Sequence, residues 1–260
     1  MIAFLTDFGL KDPYVGIVKG VIHSIAPNTH LIDISHDISP GNIREASFVL
    51  KMSYKYFPRG TVFLAVVDPG VGSKRRGLAC KIGHWFFVGP DNGLFTHVIR
   101  EVGECECHEI TNNSLFLKDV SSTFHARDVF GPVAAHLENG IPLDQVGPKV
   151  ENIIRLDIKD AFFSGENITG EIVYFDRFGN AITNIDSKLM ERLGAKALQI
   201  KLKDHDLPLV ACYEMGKDLL AFGIIGSHGY LEISSYLESA QKLLGLEIGD
   251  QVVASPISFS

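Results

Sequence analysis

The feature that most constrains this chain is a change of texture past its middle. Strand and helix signals alternate through the first part and then give way to strand-like segments that follow one another closely. Residues 2–8 read as a buried strand, followed by a short loop and a helix opening at Pro13, an allowed first-turn position. Residues 30–35 form a second strand. Asn42 is placed to cap a helix running to about residue 57, with Ala46, Val49, Leu50 and Phe57 near one face. Residues 61–67 are a β-branched third strand ending at Asp68. Strands separated by helices predict a largely parallel sheet. Later, 78–82 and 85–88 read as a hairpin around Gly83-His84, and 126–138 as a helix stopped by Asn139-Gly140.

Beyond residue 160 the strand-like segments are 168–175, 181–185, 197–202, 219–225, 230–234 and 251–254, with helical patterns only at 187–193 and 237–244. Closely spaced short strands of this kind predict a small antiparallel barrel or sandwich. The expected organisation is therefore an N-terminal α/β domain with a largely parallel sheet over 1–160, and a smaller C-terminal antiparallel β-barrel over 161–260.

A chain of 260 residues accommodates two such cores. Its net charge of −7 argues against a general nucleic-acid binder, which needs Lys and Arg to neutralise phosphates, but suits a small cationic ligand. The amino terminus shows no basic leader with an apolar run, and no apolar stretch reaches membrane-spanning length. Neither nucleic acid nor membrane is an expected partner. Of the 4 cysteines, Cys105 and Cys107 sit beside His108. That spacing fits neither a zinc pair nor a redox CxxC, so reduced strand cysteines, no metal and a cytoplasmic location are expected.

In a parallel sheet, ligands collect beyond the carboxyl ends of the strands. The first and third strands both finish on an aspartate followed closely by glycine, Asp7 in TDFG and Asp68 in DPGVG, while Asp33 and Asp37 lie in and just past the second strand. A single such Asp would only start a loop; two at neighbouring strand ends suggest one shared site. The PGVGSKRRG segment lacks the GK[ST] ending of a phosphate loop. Its glycines better suit a backbone that approaches a ligand closely, with one arginine, Arg75 or Arg76, folded back toward Asp68. His125 and Arg127 in FHARD, the DRFGN turn and the SHGYLEI segment each have a purely structural reading as caps or turns.

Taken in order, TDFG, DPGVGSKRR, FHARDVFGPVAAHL, DRFGN and SHGYLEI resemble the S-adenosylmethionine hydroxide adenosyltransferases, hydrolytic relatives of fluorinating and chlorinating enzymes. The resemblance runs from Met1 to the last strands. It implies an amino-terminal α/β domain, a carboxyl-terminal β-barrel, and a homotrimer with sites between the amino domain of one subunit and the carboxyl domain of the next. It also implies a water-activating set at Asp68, Arg75 and His125, a ribose-binding Asp7, and first-loop contacts from Asp12 and Tyr14. Asp176, Phe178 and Asn180 match positions that hold the amino-acid part and the adenine, and Ser227 one that grips the methionine end, with Glu232 a candidate to face its ammonium. Two departures stand out. The family often has HGRD where this chain has HARD, so Ala126 narrows the space beside His125, and residues 234–237 differ from the usual sequence.

The implied reaction is hydrolysis of S-adenosyl-L-methionine to adenosine and L-methionine, with no cofactor and no metal. The sulfonium leaves as neutral methionine, so the enzyme must chiefly place an oxygen nucleophile behind the ribose 5′ carbon. Asp68 and His125 can accept hydrogen bonds from a water, and Arg75 can stabilise hydroxide character. A halogenase of the same fold is the nearest alternative, but those relatives carry tyrosines in place of Asp68 and His125, and a carboxylate repels halide. A metal-dependent nucleotidase would need several converging carboxylates, and an adenosine-sensing protein with a decayed site would not need an intact Asp-Arg-His set.

Overall fold

The computed structural model describes residues 1–194 and 198–257, which form two compact units, Met1–Asp157 and Ile158–Ser260. The first contains β1 (Ile2–Thr6), α1 (Tyr14–Ile25), β2 (Leu31–Ser35), α2 (Ile43–Ser53), β3 (Val62–Val66), β4 (Gly77–Ile82), β5 (Trp85–Pro90), α3 (Thr96–Val102), β6 (Cys105–Glu109), α4 (Gly131–Glu138) and β7 (Lys149–Val150). These strands make one sheet in the order β2-β1-β3-β5-β4-β6-β7. β2, β1, β3 and β5 run parallel, and β4, β6 and β7 extend the sheet by antiparallel pairing. All five residues of both β1 and β3 are buried, as central strands covered on both faces require.

Helix α1 buries Val15, Val18 and Ile22, one stripe at helical spacing, and packs against α4. Asn42 caps α2 by accepting from the Glu45 amide, as expected; the α-helix itself stops at Ser53 and tightens into a 3₁₀ turn over Tyr54–Tyr56. α3, which packs on α2, gives almost no sequence signal in seven residues.

The helix expected over 126–138 is two pieces. Ala126–Phe130 is a π-helical turn, closed by the Gly131 amide donating to Ala126 O, and α4 continues from it. Pro132 explains part of this. It has no N–H to give to the carbonyl of Asp128, four residues back, and that carbonyl accepts instead from Leu117 N at 2.9 Å. A loop is thereby tied to the helix start. π-turns of this sort concentrate at functional sites.

The cysteine expectation is corrected. Cys80 on β4 and Cys107 on β6 stand directly opposite in register and are joined by a disulfide; Cys105 and Cys212 are free and exposed. His108, instead of facing a metal, meets the Gly147 carbonyl through Nδ1 at 2.8 Å and Glu106 through Nε2 at 3.0 Å.

The second unit contains β8 (Phe162–Ser164), β9 (Asn167–Phe175), β10 (Ala181–Asp186), α5 (Ser187–Glu191), β11 (Leu198–Leu202), β12 (His205–Val210), β13 (Phe222–Ile225), β14 (Tyr230–Ser234), α6 (Ala240–Leu243) and β15 (Gln251–Pro256). The strand order is β10-β14-β13-β12-β11-β15-β9-β8, and pairing of β10 with β9 closes a barrel of seven strands with β8 as an outlying hairpin arm. Pairing is antiparallel except between β12 and β13, which run parallel. Ile168, Ile172, Ile185, Ile200, Leu231 and Val252 fill the interior. The expected strand start at 197 lies outside the described residues, and the one at 219 begins at Phe222 because 213–216 form a 3₁₀ turn upstream.

Candidate functional site

In the strand order β2-β1-β3, the chain leaves β1 to one side and returns to the other, so β1 and β3 flank a topological switch point. Thr6 is paired with Val66, which brings Asp7 and Asp68 to neighbouring strand ends. They line one pocket of about 330 Å³ with Phe8, Gly41, Phe124 and His125 among its walls.

Asp68 and Arg75 form a nearly closed ion pair, 6% and 12% exposed. Arg75 Nε donates to both carboxylate oxygens at 2.9 Å and Nη2 to Oδ2 at 2.5 Å. The same Nη2 donates to His125 Nδ1 at 2.8 Å. A guanidinium can only donate, so Nδ1 must carry the lone pair and Nε2 the proton. Burial lowers the His125 pKa, as does the Arg75 charge, against the opposing pull of Asp68 and Asp128; the ring is held neutral. On this geometry the ring nitrogen that does not face Arg75 is a donor. Arg75 also lies over the Phe130 ring, 5.0 Å from its centroid.

Arg76 points elsewhere, pairing with buried Asp91 (Nε 2.9 Å) and donating to the Asn152 carbonyl. Geometry thus selects Arg75 over its neighbour. The glycines of the loop do approach something closely, but it is protein. Gly72 has φ +76°, and a Cβ there would sit 2.1 Å from Ser122 O. The 68–76 loop is thereby seated on the 121–125 loop that carries His125. Asp128, fully buried, holds that second loop: it accepts from Ser121 N at 2.8 Å and from Arg127 Nε at 2.5 Å.

Asp7 Oδ2 accepts from the Gly41 amide at 2.8 Å, at a turn where Gly41 has φ +73°. Of the first-loop residues, Asp12 is exposed, and Tyr14 packs edge-on against Phe124 (5.3 Å) and Phe8 (6.3 Å). Phe8 and Phe124 were not singled out from sequence; aromatic residues next to strands and helices read as core by type.

In the second unit, the Asp176 carboxylate is absorbed by its own turn, accepting from Phe178 N and Asn180 N at 2.9 Å and from Asn180 Nδ2 at 2.8 Å. One Nδ2 proton is thereby used, which leaves Asn180 its second N–H and Oδ1. Gly179 (φ +83°) lets the turn press on Ser239. Phe178, 77% exposed, and Asn180 line a pocket of about 450 Å³ with Tyr213, Ser235, Tyr236 and Leu237. Tyr213 and residues 235–239 carry no sequence signal that separates them from surface. Ser227 is exposed in the β13–β14 turn, outside that lining. Glu232 is buried, its oxygens taken by the Tyr213 hydroxyl at 3.0 Å and His228 Nε2 at 2.7 Å; burial, then the Glu232 charge, raises the Tyr213 pKa. Among the described residues, no three or more His, Cys, Asp or Glu are grouped to hold a metal ion, and no helix is long and apolar enough to cross a membrane.

A switch-point pocket with a desolvated Asp-Arg-His set, in a chain that also carries a barrel with a polar-aromatic pocket, defines a two-domain small-molecule enzyme. Profiles of the SAM hydroxide adenosyltransferase N-terminal and C-terminal domains match residues 2–147 and 170–253. A Thermus thermophilus relative named (R)-S-adenosyl-L-methionine hydrolase is 38% identical over 95% of this chain and 96% of its own. A Nocardia brasiliensis fluorinase is 28% identical over 97% and 95%. A crystal structure of an uncharacterized conserved protein from Thermotoga maritima superposes with TM-score 0.93 at 38% identity, covering 98% of this chain and all of that one. The chain belongs to the SAM hydroxide adenosyltransferase family.

Proposed function

We propose that this enzyme hydrolyses S-adenosyl-L-methionine to adenosine and L-methionine by in-line attack of water on the ribose 5′ carbon. The observation that carries the reading is that Asp68 and His125 line one pocket and are both joined to Arg75 behind them. A water donating to Asp68 and accepting from His125 Nε2–H keeps one lone pair for attack. Asp68 takes the proton as the C–O bond forms, and Arg75 spreads the charge. The sulfonium needs no acid to leave, and charge is cancelled as hydroxide character meets it, so a dry, rigid pocket favours the step.

In this reading Asp7 accepts from the ribose hydroxyls, with Asp12 and Tyr14 closing the first loop over the substrate. Phe178 and the Asn180 Oδ1 acceptor suit an adenine face and its exocyclic amine, on a turn fixed by Asp176. Ser227 takes the methionine end, and Glu232 adds negative charge beside it. No cofactor or metal is invoked. The two pockets lie on different units, which fits a homotrimer that completes each site between subunits; a cytoplasmic location is proposed with it, the Cys80–Cys107 disulfide being shielded by burial of both residues. Asp68→Asn and His125→Ala are expected to slow turnover about a hundredfold or more with KM changed much less. Near-parent kcat in both variants would remove this mechanism.

A further inference from the structure

His36 is a buried imidazole that the proposed chemistry does not use. It is 4% exposed, just past β2, with its ring edge-on to Phe4 at 4.8 Å. A buried polar ring costs free energy unless it is matched by partners, and an aliphatic residue would pack this position without that cost. Its partners form a continuous chain of contacts. Lys19 Nζ donates to Asp33 Oδ2 at 2.6 Å; Asp33 Oδ1 lies 3.0 Å from His36 Nε2; His36 Nδ1 lies 2.8 Å from Thr6 Oγ1; and Thr6 Oγ1 accepts from Phe8 N at 3.3 Å. Burial works to raise the Asp33 pKa but is outweighed by the hydrogen bond from Lys19 and the contact with His36, so the group is a carboxylate that only accepts; His36 Nε2 meets it at ion-pair distance without an aligned hydrogen bond. Nε2, facing a carboxylate, carries a proton, while Nδ1 and the Thr6 hydroxyl share one hydrogen bond and Thr6 Oγ1 also accepts from Phe8 N–H.

The chain ends on the residues flanking Asp7. Thr6 and Phe8 are both inside it, and the His36 carbonyl accepts from Gly9 N at 2.7 Å. Regular pairing of β1 with β3 ends at the Thr6–Val66 pair, so the aim of the Asp7 side chain depends on the loop that follows. We propose that His36, held between Asp33 and Thr6, is a positioning residue for ribose recognition: it sets the loop that aims the Asp7 carboxylate. This rests on the reading of Asp7 as the ribose ligand.

The test compares S-adenosyl-L-methionine with its 2′-deoxy analogue in the parent enzyme and in His36→Leu, Thr6→Val, His36→Asn and Asp33→Asn, with thermal midpoints recorded alongside. The parent should prefer the ribose substrate by about tenfold or more in kcat/KM. His36→Leu and Thr6→Val should raise KM for the ribose substrate about tenfold, leave kcat within about threefold, and bring the preference close to unity. His36→Asn restores a polar group near Nδ1 and should recover most of the preference. Asp33→Asn, at a half-exposed site that folding tolerates, should shrink it about two- to threefold. A merely structural role would lower both substrates alike. Folded variants that keep the parent preference overturn the proposal and leave the ribose reading intact; a parent with no preference overturns both.

Discussion

Replacing Arg75 by methionine should be costly to the fold as well as to turnover, and the two costs can be separated. The guanidinium is the shared donor of the set, making three contacts of 2.5–2.9 Å to Asp68 and one of 2.8 Å to His125. Methionine keeps the stem over Phe130 but strands a carboxylate that is 6% exposed. Removing one partner of a buried pair costs about 3–5 kcal/mol; the pocket side admits some water, so about 3 kcal/mol is the working figure. At about 2–4 °C per kcal/mol for a unit of this size, the first unit's melting transition should fall by about 6–12 °C. Asp68→Asn in the same background removes the stranded charge and should recover more than half of that loss, a coupling visible only in the double variant. Scanning calorimetry of the parent, both single variants and the double variant reads it directly. Arg76→Met provides the contrast. It strands Asp91, 2% exposed, and should destabilise comparably while keeping turnover within several-fold, whereas Arg75→Met should lose about a hundredfold or more. An Arg75→Met transition within about 2 °C of the parent, or strictly additive losses in the double variant, would refute this reasoning.

His125 works as the neutral ring that accepts from Arg75, and its pKa is depressed by burial and the Arg75 charge. Activity should therefore persist below the ordinary histidine range of about 6.5 and fall as pH drops through the lowered value, while the ring's contribution to stability is lost between about 6.5 and that lowered value; an acid limb above 6.5 in kcat/KM would contradict this. Gly72→Ala adds a Cβ 2.1 Å from Ser122 O at φ +76°, so it should part the Asp68 and His125 loops, cutting turnover at least tenfold with a lower melting midpoint; unchanged kinetics would show that the loop contact does not matter. Mixing inactive Asp68→Asn with inactive Asn180→Ala protein should restore activity after subunit exchange if each site uses two subunits. A fully active monomer by light scattering would end that idea.

Much of the frame was legible in the sequence, and its limits have physical causes. β1, β2 and β3 announce themselves by short apolar runs, the first and third followed by aspartates, and the barrel by crowded short strands. The arginine choice was not legible, because Arg75 and Arg76 differ only in which side of an extended segment they leave. The π-turn after His125 was invisible because 126–138 has a continuous helical pattern; the Pro132 that helps shape it reads equally well as a first-turn proline. The Cys80–Cys107 disulfide depends on the register of β4 against β6 across 27 residues, which spacing within the CxCH segment does not contain. Phe8 and Phe124 line a pocket while reading as core by type, and Tyr213 lines the other while reading as surface. Asp176 shows a residue whose carboxylate also holds its own turn through Phe178 N, Asn180 N and Asn180 Nδ2, which the DRFGN motif alone does not distinguish from a ligand role.

Attack of water at the ribose 5′ carbon, rather than of halide, is tested most directly by incubating the enzyme with S-adenosyl-L-methionine in oxygen-18 water containing molar chloride and identifying the nucleoside by mass spectrometry. A carboxylate and a halide about 4 Å apart repel by roughly 4 kcal/mol at an effective dielectric near 20, which suppresses halide occupancy about a thousandfold. The expected product is adenosine carrying the label on its 5′ oxygen, with little 5′-chloro nucleoside. Unlabelled adenosine, or a dominant 5′-chloro product, would contradict hydrolysis by a water held at Asp68, Arg75 and His125.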